Sequence, residues 1–261
     1  AKGTAIVNLL SLEPGEKITA MIPISSFEEG NYLTFVTKNG TVKKTDLMDY
    51  SRIRTGGLRA IELVEGDELI TVELTADDSK LMIVTREGMA ICFAESDVRP
   101  MGRTTRGVRG IKLGDTDYVV GACLAHDGTK LLVVTENGYG KKTDLAEYKV
   151  QNRGGRGVYT YKITEKTGLV AGLATVTDEE DVMMITSDGV LIRMHTDEIS
   201  SFGRQTQGVR IMRLADDVKL VSMAKTERED EDENTEDTAE EENSAETAEP
   251  AESDENTVSE E

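Results

Sequence analysis

The chain has no tryptophan, and its 261 residues include only four phenylalanines, seven tyrosines, two histidines, two cysteines and four prolines. These scarcities exclude several kinds of chemistry. His126 and His195 have no carboxylate or cysteine at a recurring ligand spacing, so each reads as a turn or strand residue and not as a base or metal ligand. Cys92 and Cys123 lie in apolar runs without a partner at metal-ligand spacing, as expected of buried free thiols in a reducing compartment. No P-loop, G-x-S-x-G or H-E-x-x-H pattern occurs, so no catalytic or metal residue is expected. No stretch approaches the roughly 20 apolar residues that cross a bilayer, and no signal-peptide pattern is present, which points to a soluble intracellular protein with no membrane partner. Long amphipathic helical patterns with caps are also missing.

Charge is plentiful but uneven. The formal net charge is −20, of which residues 227–261 supply −17, through 18 Asp and Glu against the single Arg228. The remaining body is near neutral, so its electrostatics depend on where the cations cluster. The tail is rich in Glu, Asp, Thr, Ala and Ser, and such a composition predicts a disordered segment. Such a tail reads either as a solubilising end or as a tethered polyanion that competes with an anionic ligand for the basic loops of the body.

The body is repetitive, with one unit of about 50 residues occurring four times. Its first half reads LTFVTKNGTVKKT from Leu33, LMIVTREGMAICF from Leu81, LLVVTENGYGKKT from Leu131 and VMMITSDGVLIRM from Val182. The turn glycines Gly40, Gly88, Gly138 and Gly189 are spaced by 48, 50 and 51 residues. The second half contains GGLRAIEL, RGVRGIKL, RGVYTYKI and QGVRIMRL, whose glycines Gly57, Gly107, Gly157 and Gly208 keep spacings of 50, 50 and 51. A partial copy, Gly3 to Ile24, matches the second half alone. The predicted organisation is a domain over 1–226, with the partial repeat at 1–24, full repeats at about 25–75, 76–125, 126–176 and 177–226, and the tail at 227–261. Because the chain starts at Ala1 in the middle of a repeat, it is expected to be a piece of a longer protein.

Each unit reads as four strands. Asn-Gly or Asp-Gly between apolar runs predicts a two-residue hairpin. Runs such as Leu131–Val134 and Val182–Ile185 are apolar at every position, as in strands covered on both faces. Units of this size cannot bury two faces alone, so the fold class is all-β, with four-stranded blades stacked radially as in a propeller. WD40 units are shorter and carry Trp-Asp, which this chain cannot supply, and the recurrent double glycine of kelch units is missing.

The loops between the two halves concentrate the cations. They hold Arg52, Arg54 and Arg59; then Arg99, Arg103, Arg106 and Arg109; then Lys149, Arg153 and Arg156; then Arg204 and Arg210. Five basic residues and no acid occur from Arg99 to Lys112. Equivalent loops of stacked blades share one edge, which predicts a basic rim, extended by the hairpin pairs Lys43–Lys44 and Lys141–Lys142. Regular cations beside glycines suit a phosphate backbone. Aromatic residues do not recur in these loops, so duplex is favoured over single strands. The densest loop is Gln151, Asn152, Arg153, Gly154, Gly155, Arg156, Gly157. No helical pattern follows it, so it is not a dinucleotide fingerprint.

The repeats, the basic loops and the tail together resemble the C-terminal DNA-wrapping domain of the DNA gyrase A subunit. The resemblance covers essentially the whole chain, through AIVNLLSLEPGEKITAMIPI, NGTVKKT, MGRTTRGVRGIKLG, NGYGKKT and ISSFGRQTQGVRI. It implies a β-pinwheel, a propeller-like domain whose blades exchange a strand and whose basic rim bends double-stranded DNA. Residues 151–157 resemble the Q-x-R-G-G-[RK]-G box of that family. In the resembled proteins the box lies in the first blade; here the heptad lies in the third complete repeat, so its expected role is the fold of its own loop. The resemblance also implies partners: a homodimer formed with the rest of the gyrase A subunit, joined by the gyrase B subunit in an A2B2 complex. Together these form an ATP-dependent type IIA topoisomerase that supercoils DNA negatively. Mg2+ and ATP are used elsewhere in that complex. This chain carries no cofactor and, lacking the region of the catalytic tyrosine, no cleavage activity of its own. The implied location is the bacterial cytoplasm, associated with the nucleoid. Two alternatives remain: the C-terminal domain of a topoisomerase IV A subunit, or a propeller scaffold for an acidic protein partner.

Overall fold

The computed structural model describes residues 12, 15–54, 56–76, 78–126 and 129–228. The expected disorder of the tail from residue 229 onward, and most of the partial repeat, lie outside the described residues. Contacts divide the chain into the units Ala1–Glu227 and Arg228–Glu261, and every element named below belongs to the first.

Among its described residues that unit has fifteen strands. The first repeat supplies β1 (Asn31–Thr37), β2 (Thr41–Asp46) and β3 (Leu69–Ala76); the second, β4 (Lys80–Thr85), β5 (Met89–Ala94), β6 (Val108–Arg109) and β7 (Val119–Leu124). The third supplies β8 (Lys130–Thr135), β9 (Tyr139–Asp144), β10 (Val158–Tyr159) and β11 (Val170–Val176); the fourth, β12 (Glu180–Thr186), β13 (Leu191–His195), β14 (Val209–Arg210) and β15 (Leu220–Glu227). The helical segments among the described residues are short 3-10 turns after the second strand of each repeat, two of them capped by Asp46 and Asp144.

All pairings within the four sheets are antiparallel. From the inner edge outward, the sheets run β3-β1-β2-β6, β7-β4-β5-β10, β11-β8-β9-β14 and β15-β12-β13. The inner strands contact their successors, β3 with β7, β7 with β11 and β11 with β15, which sets the blades around a common centre as in a propeller. The sequence repeat and the blade are offset, because the short outer strand of each of the first three blades comes from the next repeat. Val108 pairs with Val42, Val158 with Ala90, and Val209 with Gly140. The fourth blade has three strands among the described residues.

Glycine makes the exchange possible. The carbonyl of Gly40 accepts the amides of Gly110 and Ile111, that of Gly88 the amides of Thr160 and Tyr161, and that of Gly138 the amides of Ile211 and Met212. A Cβ on Gly107, Gly157 or Gly208 would lie 2.6, 2.2 or 2.4 Å from a carbonyl oxygen of the preceding blade, and all three residues have positive φ. Gly57 and Gly189 share the positive φ but have open space around the Cβ direction. Among the described residues, Gly57 faces no preceding hairpin and Gly189 faces no donated strand.

The core consists of three layers between blades. Leu81 and Ile83 of β4 pack with Val36 and Val42 of the first blade, whereas Met82 and Val84 turn to Leu131 and Val133 of the third. Leu132 and Val134 then meet Val182 and Met184. This explains why β4 from Leu81 to Val84 and β8 from Leu131 to Val134 are apolar at every position: each is sandwiched between two neighbours. The Val182–Ile185 run differs from expectation, because the far face of β12 is uncovered and Ile185 is 42% exposed. The hairpins also differ. Gly40 N donates to Thr37 O, and of the turn residues only the glycine has positive φ. The loops are therefore three-residue turns ending in a left-handed glycine, not two-residue turns.

Gly157→Ala should destabilise the chain by about 2 kcal/mol more than Gly189→Ala, since both share the left-handed penalty and only the former clashes with backbone. Urea midpoints compare the two, and equal losses would contradict a role for Gly157 in the strand exchange.

Candidate nucleic-acid interface

The outermost strands β6, β10 and β14, with the loops that lead into them, present most of the sequence-predicted cations. Arg99, Arg109 and Arg156 are exposed, and so are Arg52, Arg54 and Arg59 in the strandless stretch after β2. None of these six is ion-paired to a described residue. Arg103 is half-buried, and its carbonyl takes part in the scaffold described below. Arg106 is exposed but is held by Glu62 of the preceding repeat, with Nε and Nη2 donating to Oε1 at 3.1 and 2.9 Å.

Arg153 and Arg204 turn inward. Arg153 donates from Nε to Asp97 O and from Nη1 to Arg109 O, each at 3.0 Å. Arg204 donates from Nη1 to Tyr159 O at 3.2 Å and lies against the Tyr148 ring. Within the heptad, Gly154 N donates to Gly110 O at 2.6 Å, and Gly155 O accepts from Lys112 N at 2.8 Å. Gln151 N reaches Cys92 O, as Met101 N reaches Lys44 O and Phe202 N reaches Lys142 O, each at 2.8 Å. The heptad is thus a main-chain clamp between successive rim loops. Of its two arginines, Arg153 holds the clamp and Arg156 faces solvent; Asn152 is exposed beside them.

The expectation that Lys141 and Lys142 extend the rim is corrected by the structure, as is that for Lys43 and Lys44. Lys141 is 0% and Lys142 2% exposed. Lys141 Nζ donates to Gly203 O at 2.5 Å and Arg204 O at 2.8 Å; Lys43 Nζ donates to Ala60 O and, at 2.7 Å, to Arg103 O. Both ammonium groups sit over aromatic rings, Tyr161 and Phe35 respectively. Lys142 donates to Asp178 Oδ1 at 2.5 Å and Thr196 O at 2.6 Å. Lys44 meets Glu95 Oε2 at 2.6 Å in a fully buried pair that joins the first two blades. The physical reason is that folded rim loops turn carbonyls inward, and a long side chain from the hairpin beneath is needed to satisfy them. In the second blade the place of Lys43 and Lys141 is taken by Ile91, over which Gly155 packs. There the heptad's own main-chain bonds fix the loop.

Two further cations escape a reading confined to the loops. Lys162 and Arg213 are exposed at the register of Lys112, five residues after Gly157, Gly208 and Gly107. The same repeat spacing that aligns the glycines would find them.

Other polar groups are engaged structurally. Cys92 and Cys123 are free and buried, and burial raises both thiols. His195 Nδ1 lies 2.6 Å from Oδ1 of the buried Asp181. Among the described residues no group of three or more His, Cys, Asp or Glu is placed to hold a metal ion, and no helix is long and apolar enough to cross a membrane.

Blades of antiparallel strands that exchange their outer strand and display cations along that edge define a propeller-type domain of the pinwheel kind. The model of the family "DNA gyrase C-terminal domain, beta-propeller" matches residues 31–76, 79–122, 129–177 and 180–227, and the chain belongs to that family. It is 51% identical over 233 residues to the DNA gyrase A subunit of Clostridium acetobutylicum, an alignment covering 89% of this chain and 28% of that protein. The chain therefore spans just over a quarter of that relative's length. Among solved structures, a C-terminal domain of DNA topoisomerase IV superposes with a TM-score of 0.80 at 30% identity, covering 86% of this chain and 71% of the other. A DNA gyrase A C-terminal domain superposes with a TM-score of 0.78 at 27% identity, covering 87% and 76%.

Burial lowers Lys141 from its ordinary 10.5 to about 8. Between those values the unfolded chain holds the extra proton, so stability gains from raising the pH, while below about 8 both states are charged and the cost of burial is constant. The stability of the native chain relative to Lys141→Met should therefore rise from pH 8 toward pH 10, by up to about 1.4 kcal/mol per unit. Paired urea titrations measure it, and a difference independent of pH would contradict a buried, perturbed Lys141.

Proposed function

We propose that the chain binds duplex DNA along its outer edge and bends it, as the C-terminal part of a gyrase A subunit. The observation that carries this reading is the repetition of exposed arginines on and before the outermost strands, Arg99, Arg109 and Arg156 among them, without ion partners among the described residues. Duplex backbone is a lattice of charges, and exposed cations recurring along the edges of consecutive blades match it without reading bases. Bending tens of base pairs costs on the order of several kcal/mol, which distributed phosphate contacts offset.

In the whole enzyme, such a wrap would present a neighbouring DNA segment to a gate formed by the rest of the A subunit. The B subunit's ATP hydrolysis would then drive negative supercoiling in an A2B2 complex in the bacterial cytoplasm, on the nucleoid. The cleavage chemistry lies outside this chain. The 51% identity to a gyrase A subunit favours gyrase over topoisomerase IV.

Replacing both Arg109 and Arg156 by alanine should weaken duplex binding and reduce the slope of log K against log salt by about 2, close to 0.9 for each phosphate no longer neutralised. Fluorescence anisotropy with a duplex over a salt series reads this. An unchanged slope would remove these arginines from the interface, and an absence of duplex binding by the native chain at low salt would overturn the reading.

A further inference from the structure

The third blade carries a feature that the other described blades lack. Tyr139 opens β9 and is paired across the sheet with Arg210 of β14, the last residue of the donated strand. The same register pair is Thr41 with Arg109 in the first blade and Met89 with Tyr159 in the second. Beside Tyr139 opens a pocket of about 600 Å3 lined also by Lys166, Arg210 and Arg213. The corresponding pocket of the second blade, about 400 Å3, has Glu87 in its wall with Lys162.

Tyr139 is 5% exposed, and its Oη accepts from Nε and Nη2 of Arg210 at 3.2 and 3.1 Å. Those two bonds occupy the oxygen's lone pairs, so its own O–H hydrogen remains to be given away. No described residue accepts it. Lys166 Nζ lies 5.4 Å and the Arg210 guanidinium 5.5 Å from the ring centroid. Neither cation, nor Arg213, is ion-paired to a described residue. Asp216 and Asp217 line an adjoining pocket, whose wall Tyr139, Lys166 and Arg210 share, and neither is ion-paired to these cations. Hydrogen bonding from Arg210 and the nearby Lys166 also hold the phenol below its ordinary value.

We propose that Tyr139, Lys166, Arg210 and Arg213 form a binding site for a phosphate group on the third blade. A tetrahedral oxyanion supplies what the pocket lacks: an acceptor for the phenolic O–H and countercharge for three cations, one of them a guanidinium suited to two oxygens at once. The phosphate belongs either to the backbone of bound duplex or to a free phosphate or phosphomonoester. In the first case the site deepens the proposed wrapping and rests on it; in the second it stands alone.

Inorganic phosphate is titrated into the whole chain and followed by phosphorus-31 line broadening, with Tyr139→Phe and the double variant Lys166→Gln/Arg213→Gln alongside. The phenylalanine keeps the ring in its buried seat, and the two replaced cations are exposed, so folding is preserved. Native chain should broaden the signal, and each variant should weaken that binding by about tenfold. Duplex anisotropy on the same proteins identifies the source. Duplex affinity that falls in the double variant, with competition by added phosphate, assigns the site to backbone; unchanged duplex affinity with lost phosphate binding assigns it to a free phosphate. Phosphate binding that is absent, or equal in all three proteins, overturns the site. Failure of the native chain to bind duplex, with phosphate binding intact, counts against wrapping and leaves the pocket standing.

Discussion

The structure depends on one backbone interaction, made three times among the described residues. A turn glycine's carbonyl accepts two consecutive amides from the next repeat, and a second glycine lets the donated strand lie against the hairpin it completes. Without that pair of glycines the outer strand would have nowhere to dock, because a Cβ would collide with a carbonyl. The same contact that closes each of the first three blades places the outer strand, and its exposed arginine or tyrosine, on the edge. Fold and surface chemistry are therefore consequences of one geometry.

Much of this is legible in the sequence. The spacing of the glycines locates all four repeats, and the apolar runs Leu81–Val84 and Leu131–Val134 announce strands with neighbours on both faces. The exchange itself is implied only by resemblance, since a two-residue strand has too short a pattern to reveal that the partner of its first residue lies 66 to 69 residues earlier. The apolar run of β12 misleads for a similar reason: local pattern cannot say whether a neighbour is present to cover it.

The candidate interface is less legible. Lys141 and Lys142 occupy hairpin positions where lysine is normally solvated, and nothing local reveals that carbonyls from 54 to 63 residues further along the chain come to rest on them. Arg153 carries the same lesson, since its guanidinium serves two backbone carbonyls in the glycine-rich heptad that looks most like a ligand loop. Conversely, Lys162 and Arg213 are visible in the repeat register but lie beyond the loops where the cations concentrate. The division of labour is physical: inward-facing cations bind the carbonyls of the rim loops, and outward-facing ones stay in solvent.

A rim that neutralises phosphates at several successive blades should not merely hold a duplex but curve it, and curvature of a closed circle is recorded in its topology. The most direct measurement is the linking number of nicked circular DNA sealed by ligase in the presence of increasing amounts of this chain. The account predicts a topoisomer distribution displaced in one direction in proportion to bound protein, and displaced less as salt rises. A distribution that stays centred where it was, at protein levels that retard the DNA fully, would contradict it.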